Sequence, residues 1–382
     1  MNLLTTKTNK EMAYIPAQQA RKVFTTVLAN IFDDFIEAPS FLTSFARKRT
    51  YSTKTVQTLS RRGTEKIAID VIRGSRGNLN QMTRQSLLEY LPPYYKEKVN
   101  VSAMNIYDIP FESGDSYNTA QIEALAMKTA RELDEVKKMV DRAIELQMAQ
   151  MLDSGVIELK NGDNIDFNRN SSMIEVLEGD ELWDATGVDI LKFFENKGSE
   201  RLRKIGKVAG GGDIDCIMGL KAWQAFRGNK DIKDGENYYI KSVLELNSAR
   251  VNTSGGGSYK GTLKVGTYNY DIWVYDEYYD DADGTSTRYW DTTKVALVPK
   301  SFQSEISFAQ VPELPEWVRQ NPRSNRVFNR LSQRMEGYRL FDYVHEEDEI
   351  YYAGIKAAPL AQLISIDRVY TAKVLEDGSV VG

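Results

Sequence analysis

Histidine and cysteine, the residue types that most often carry catalytic and metal chemistry, occur once each in this chain of 382 residues. A lone His345 removes His-based zinc sites, most hydrolytic triads and acid–base schemes that pass a proton through imidazole. Its surroundings, Val344-His345-Glu346-Glu347-Asp348, would need a second histidine at position 349 to form the H-E-x-x-H zinc motif, and glutamate stands there. His345 therefore reads as a surface or interface residue. A lone Cys216 excludes a disulfide within the chain and fits folding in a reducing cytoplasm. Its neighbours Ile214, Ile217 and Met218 favour a buried thiol over a reactive one.

Proline is scarce, at 10 residues, and 42% hydrophobic with 27% charged side chains is the balance of a folded protein, neither disordered nor fibrous. The length allows a sizeable core in one or two closely connected domains. No run approaches the roughly 20 apolar residues of a membrane span. The start, Met1 to Lys10, lacks the apolar stretch of a secretory signal. A soluble protein made in the cytoplasm is the expectation. Excess positive charge is missing too: 49 basic against 54 acidic residues leave a formal charge of -5. Without a positive field to release counterions, any DNA this protein meets is enclosed and not gripped.

Motifs for phosphate or metal fail in detail. Of the two glycine clusters, Gly210-Gly211-Gly212-Asp213 and Gly255-Gly256-Gly257-Ser258-Tyr259-Lys260-Gly261-Thr262, the second comes closer to a P-loop. A P-loop needs lysine directly after its last glycine, and Thr262 follows Gly261. Lys260 stands where the third glycine of G-x-G-x-x-G would be. Both clusters read as flexible loop tips. The acidic run Asp276-Glu277-Tyr278-Tyr279-Asp280-Asp281-Ala282-Asp283-Gly284 has the alternating carboxylates of a calcium loop. Tyr279 takes the first ligand position, however, and Trp290 that of the closing glutamate, so a solvated hairpin turn fits better. No cofactor or metal is expected, and an enzyme is disfavoured.

Apolar periodicity then gives the organisation. Val23, Val27, Leu28, Ile31, Phe32 and Phe35 share one side of a helix expected from about Pro16 to Ile36, stopped by Pro39. Phe41, Leu42 and Phe45 lead into a basic cluster, Arg47-Lys48-Arg49, which fits a solvated turn or contact with an acidic neighbouring subunit. From Lys54 to Met104 the chain reads as extended, with Val71-Ile72 and Val99-Asn100-Val101 flanking the polar stretch Arg73 to Gln81. A long two-stranded arm explains it. Such a hairpin is marginal alone in water, so it implies another surface to lie on.

The strongest helix is expected over Thr119 to Leu152, with Asn118 as N-cap and Gln121 completing a box-like pair. Ile122, Leu125, Leu133, Val136, Val140, Ile144 and Met151 form one stripe, and Gly155 ends the helix. At 1.5 Å per residue it spans on the order of 50 Å. A hairpin follows, Val156 to Lys160 and Ile165 to Phe167, turning at Asn161-Gly162-Asp163. Beyond it the sequence predicts helices over Leu182 to Phe194 and Ala222 to Phe226. Strands are predicted over Ile214 to Gly219, as a pair within Gly261 to Tyr275, and over Lys294 to Val298 and Ser304 to Phe308. The tail from Ile350 to Ala372 reads as further extended chain. The fold class is α+β.

In this order of arm, helix, hairpin and globular region, the sequence resembles the lambda-type family of tailed-phage major capsid (head) proteins. The stretches that carry the resemblance are Arg73 to Lys98, ending in Leu91-Pro92-Pro93-Tyr94-Tyr95-Lys96; Leu152-Asp153-Ser154-Gly155-Val156; Asp213 to Gly219 with Lys221-Ala222-Trp223; Tyr270 to Tyr275; and Lys356-Ala357-Ala358-Pro359-Leu360. The resemblance implies a Hong Kong 97-type phage capsid fold: an N-terminal arm (1–52), an extended β-hairpin loop (53–104), a peripheral domain (105–179 and 299–349) with a long spine helix over 119–152, and an axial domain (180–298 and 350–382). The Pro-rich stretch Val311 to Trp317 departs from a compact family pattern.

A capsid protein of this kind self-assembles into homo-hexamers and homo-pentamers of an icosahedral head that encloses double-stranded DNA without sequence-specific binding. The resemblance further implies a separate scaffolding protein and a portal as partners, with or without a decoration protein, no membrane, and a virion assembled in the bacterial host cytoplasm. Arg47, Lys48, Arg49, Arg73, Arg76, Arg84, Tyr94 and Tyr95 are the candidates for contact between subunits, through charges paired across the seam and an arm laid over a neighbour. Some members of the family crosslink a loop lysine to an asparagine; nothing marks Lys66 or Lys96 for this. Competing readings are a tail component, an encapsulin-like shell, or an enzyme using the carboxylates of Asp276 to Asp283.

Overall fold

The computed structural model describes residues 14–16, 40–60, 86–101, 116–159, 162, 164–230, 232, 244–245, 255–281, 283–311, 337–345 and 350–378. The first strands are β1 (Tyr14–Pro16), β2 (Ala46–Thr50), β3 (Val56–Ser60), β4 (Ser86–Tyr90), β5 (Tyr95–Val101) and β6 (Ser116–Asn118), followed by helix α1 (Thr119–Asp153). Then come β7 (Val156–Glu158), β8 (Asn164–Asp166), β9 (Ile174–Val176), β10 (Asp213–Met218), β11 (Leu244–Glu245), β12 (Gly257–Val265), β13 (Tyr268–Tyr275), β14 (Tyr278–Asp280) and β15 (Ser286–Arg288). The last are β16 (Lys294–Pro299), β17 (Ser304–Phe308), β18 (Tyr338–His345), β19 (Ile350–Ala357), β20 (Pro359–Leu363) and β21 (Tyr370–Lys373).

The chain divides into two compact units: Met1–Glu37 with Tyr94–Val140 and Val311–Ala358, and Ala38–Pro93 with Asp141–Gln310 and Pro359–Gly382. The second unit is built on a seven-stranded sheet, ordered β11-β12-β13-β10-β16-β21-β9. Strand β16 is apolar and buried through Val295 to Val298, and β10 is apolar and buried at Ile214 and from Cys216 to Met218, with Asp213 and Asp215 as its two charged positions. Strands that read this way belong in the middle of a covered sheet, where these two pair with each other. Against them pack Trp183, Phe193, Phe194, Phe226, Tyr270 and Tyr370 as one cluster that includes the Cys216 thiol, which burial pushes well above its ordinary pKa. The buried cysteine expected from sequence is what the fold contains.

Some local readings need correction. The helix expected over Leu182 to Phe194 starts too early: helical chain runs from Ile190–Lys192 through a π-helical turn, Phe193–Gly198, into Ser199–Lys204. Leu182 and Trp183 are buried, but Gly187 at φ 82° interrupts the chain after them, so their apolar character reflects core contact and not helical period. The second glycine cluster is not a loop tip from Gly257 onward, because Gly257 opens β12 and Gly261 lies within it, beside a bulge between Tyr259 and Gly261. A Cβ on Gly257 would come within 2.3 Å of the Phe41 ring, so glycine is there to let that ring lie on the strand. Gly210 to Gly212 do form an exposed turn, Gly211 at φ 80° donating to the Thr267 carbonyl at 2.9 Å.

In α1 the expected stripe is buried at Leu133, Val136, Val140, Ile144 and Met151, and Leu125 is half-buried. Its last turn closes on Gly155, whose left-handed φ of 77° lets its N–H reach the Met151 carbonyl at 3.1 Å. Strands β7 and β8 pair antiparallel as the hairpin foreseen there, and β14 with β15 closes the acidic run into another. The first unit holds an antiparallel sheet ordered β18-β19-β5. Leu340, Ala353 and Ile355 are buried on one of its faces, while Arg339, Lys96 and Lys98 are exposed on the other. Pro16, expected to open a helix, instead ends β1, which pairs with β6; the rest of that helix lies outside the described residues. No helix among the described residues is long and apolar enough to cross a membrane.

Candidate functional site

The basic cluster Arg47-Lys48-Arg49 is neither a turn nor an isolated patch. It is the body of β2, the outer strand of a sheet ordered β2-β17-β20, and all three side chains are exposed. Strand β2 runs parallel to β17 and hydrogen bonds no other strand among the described residues, so one backbone edge stays open. An open edge invites indiscriminate pairing, and charged side chains on both of its faces discourage that while leaving an acidic partner welcome. Arg49 is partly engaged: its guanidinium lies 3.9 Å from Glu305 and 5.0 Å over the Tyr51 ring. Glu305 in turn accepts from the Tyr51 hydroxyl at 2.6 Å and the Ser307 hydroxyl at 2.7 Å, and burial together with that carboxylate raises the Tyr51 pKa. Arg47 and Lys48 form no ion pair with a described residue.

What holds this strand in place is a residue the sequence did not flag. Glu145, fully buried in α1, accepts from the backbone N–H of Leu42 at 2.7 Å and of Thr43 at 2.9 Å, and from the Tyr275 hydroxyl at 2.9 Å. Burial raises its pKa, and the three donors oppose that rise. The carboxylate thereby caps the short helical turn Thr43–Phe45 that leads into β2. Phe41 lies beside it, tilted against Trp273 and Tyr275 at 5.3 and 5.4 Å. A carboxylate one residue past Ile144 on the stripe was the available signal, but its partners come from residues far away in sequence.

Arg169 is the second unflagged residue. Its guanidinium donates to the carbonyls of Leu152 at 2.8 Å and Asp153 at 3.1 Å, the last two residues of α1, and to those of Met173 at 3.1 Å and Val369 at 2.5 Å. It also donates to the Thr371 hydroxyl at 2.9 Å. Burial lowers its pKa to about 10, so it stays cationic at neutral pH and neutralises the negative end of the helix.

Tyr94, 46% exposed, follows the exposed Leu91 and the half-buried Pro93, while Tyr95 opens β5 opposite Ala357. Arg47 to Arg49 belong to one compact unit, and Tyr94 and Tyr95 to the other. Arg73, Arg76 and Arg84 lie outside the described residues, between β3 and β4, which pair antiparallel. The acidic hairpin holds Arg288 against Asp276 at 2.6 Å. Among the described residues no group of three or more His, Cys, Asp or Glu is placed to hold a metal ion. The candidate site is therefore the exposed strand β2, anchored through the buried Glu145, and, in the other unit, the exposed Tyr94.

A solved structure assigned as the capsid protein of a prophage in E. coli CFT073 is similar to the chain at TM-score 0.58 and 13% identity, covering 95% of this chain and 99% of that one. The mature capsid of bacteriophage PhiM1 is similar at TM-score 0.50 and 9% identity, covering 91% and 90%. Both likenesses show the Hong Kong 97-type fold. Comparison with curated proteins found no match. The family model for phage major capsid protein E matches residues 25–337. With a capsid fold matched over 95% of its length and a family match over most of it, the chain belongs to the phage major capsid protein E family and is a shell protein of a tailed phage.

Proposed function

We propose that copies of this chain close, as hexamers and pentamers, into an icosahedral head that encloses double-stranded DNA without reading its sequence. The observation that carries the proposal is the family match over residues 25–337. The shell draws its strength from many modest contacts repeated by symmetry, with Arg47 and Lys48 on the open edge of β2 and Tyr94 beside Leu91 offering surface to a neighbour. In this reading residues 1–52 are the arm and 53–104 the extended loop. Residues 105–179 and 299–349 form the peripheral domain, and 180–298 with 350–382 the axial domain. Arg73, Arg76 and Arg84 fall in the loop and pair with a neighbouring subunit. A scaffolding protein and a portal, with or without a decoration protein, complete the particle, which is built in the host cytoplasm. The chain itself carries no reaction.

Expression of the full chain with and without neighbouring phage genes, followed by particle mass and electron microscopy, tests this. Closed icosahedral shells are expected. A compact monomer at high concentration, a tube or a small cargo-filled compartment would overturn it.

A further inference from the structure

The register of the β18-β19-β5 sheet sorts its charges by face. Tyr343, Tyr352 and Asn100 lie in one row, then Phe341, Gly354 and Lys98, then Arg339, Lys356 and Lys96, all on the same face because side chains alternate along each strand. No acid occupies a position on this face among the described residues. Lys98 sits 4.4 Å over the Tyr352 ring, and Lys356 4.7 Å over Phe341. Lys96 also approaches Phe341, at 5.6 Å, although Lys96 and Lys356 are directly opposite across the strands and repel one another. Lys96, Lys98 and Arg339 form no ion pair with any described residue.

Nucleic acid is a poor occupant, because the ammonium groups already cover the rings on which bases would stack. Carboxylates are the better match, and the hairpin of β14 and β15 supplies them: Asp280 and Asp283 are exposed at its tip, with Asp281 between them. Among the described residues these two strands pair only with each other, and every residue of β15 is exposed. A lone two-stranded ribbon gains from lying on a second surface. We infer that the acidic hairpin of one copy docks on the basic face of β18-β19-β5 of another copy, a head-to-tail contact of opposite charges that repeats around a ring. The inference rests on the shell reading and names one of its interfaces.

Two engineered chains decide it. Cys216 is buried and is the sole native cysteine, so Lys98→Cys in one full-length chain and Asp280→Cys in another give a clean pair. Mixed and assembled under mild oxidation, they should yield a disulfide-linked dimer on a non-reducing gel, and neither chain alone should. Absence of the mixed dimer from well-formed shells overturns the inference and leaves the shell reading intact; absence of shells from the unmodified chain counts against the shell reading itself. In parallel, Lys96→Glu with Lys98→Glu should raise the protein concentration needed for assembly about tenfold or more, while Lys98→Arg should not. Adding Asp280→Lys and Asp283→Lys should restore assembly. Circular dichroism separates misfolding from lost docking. Unaltered assembly with reduced DNA content in the Lys96→Glu, Lys98→Glu shells would assign the face to the genome and overturn the inference.

Discussion

Buried charge does the local work of this fold. The three donors on Glu145 belong to a turn and to a strand, and removing the carboxylate strands them without water. Glu145→Ala should therefore cost about 3 kcal/mol or more, read from urea denaturation. The pH dependence has a definite sign. Because burial raises the folded pKa above the ordinary 4.5, the fold takes up a proton more readily than the unfolded chain. The contribution of this group to stability is greatest below that ordinary value and is lost as pH rises through the raised one. Glu145→Gln, which cannot titrate, should flatten the slope of the urea midpoint in that window; an unchanged slope would mean that another group sets it. Arg169 makes the opposite kind of anchor, a cation satisfied by carbonyls. Arg169→Met should cost about 3–5 kcal/mol, because the carbonyls of Asp153, Met173 and Val369 lose the guanidinium together and that of Leu152 is left with the Thr371 hydroxyl. Arg169→Lys should recover only part of that, since an ammonium cannot span the same fork.

At the scale of elements, two glycines fix how helix and strand end or pack. Gly155 combines a left-handed φ of 77° with a Cβ position 2.8 Å from the Arg169 side chain. Gly155→Ala should lower stability by about 1–3 kcal/mol, measured as a shift of the thermal midpoint, through backbone strain and displacement of the guanidinium. At Gly257 the backbone is extended and only space is at issue. Alanine there pushes on Phe41, and through it on the turn that Glu145 caps, so the expected loss is again about 1–3 kcal/mol. A distinguishing readout is proteolysis near residues 40–45, which Gly257→Ala should accelerate and Gly155→Ala should not.

For the whole molecule, stability and assembly separate. Arg47 and Lys48 are exposed and unpaired with described residues, so Arg47→Glu with Lys48→Glu should change folding stability by no more than about 0.5 kcal/mol per site. If the open edge of β2 meets an acidic neighbour, the same variant should assemble poorly and sediment as small species. Normal shells from it would remove β2 from the set of contacts.

The patterns that repeat along the chain were readable before any fold was known. The stripe of α1, the apolar runs of β10 and β16, the turn between β7 and β8 and the core position of Cys216 depend on neighbours in sequence, and local periodicity reports such neighbours directly. Chain order was readable as well, and it carried the resemblance to capsid proteins. Only the tertiary structure decided the rest. That Arg47 to Arg49 form an edge strand and not a turn follows from β17, more than 250 residues onward, taking up one side of β2. Glu145 and Arg169 gained their roles from partners on distant segments. The glycine that opens β12, Gly257, was explained by a ring from residue 41 that no local pattern connects to it. A sequence records what each segment can bury, but which segment arrives to be buried against it is settled when the chain closes on itself.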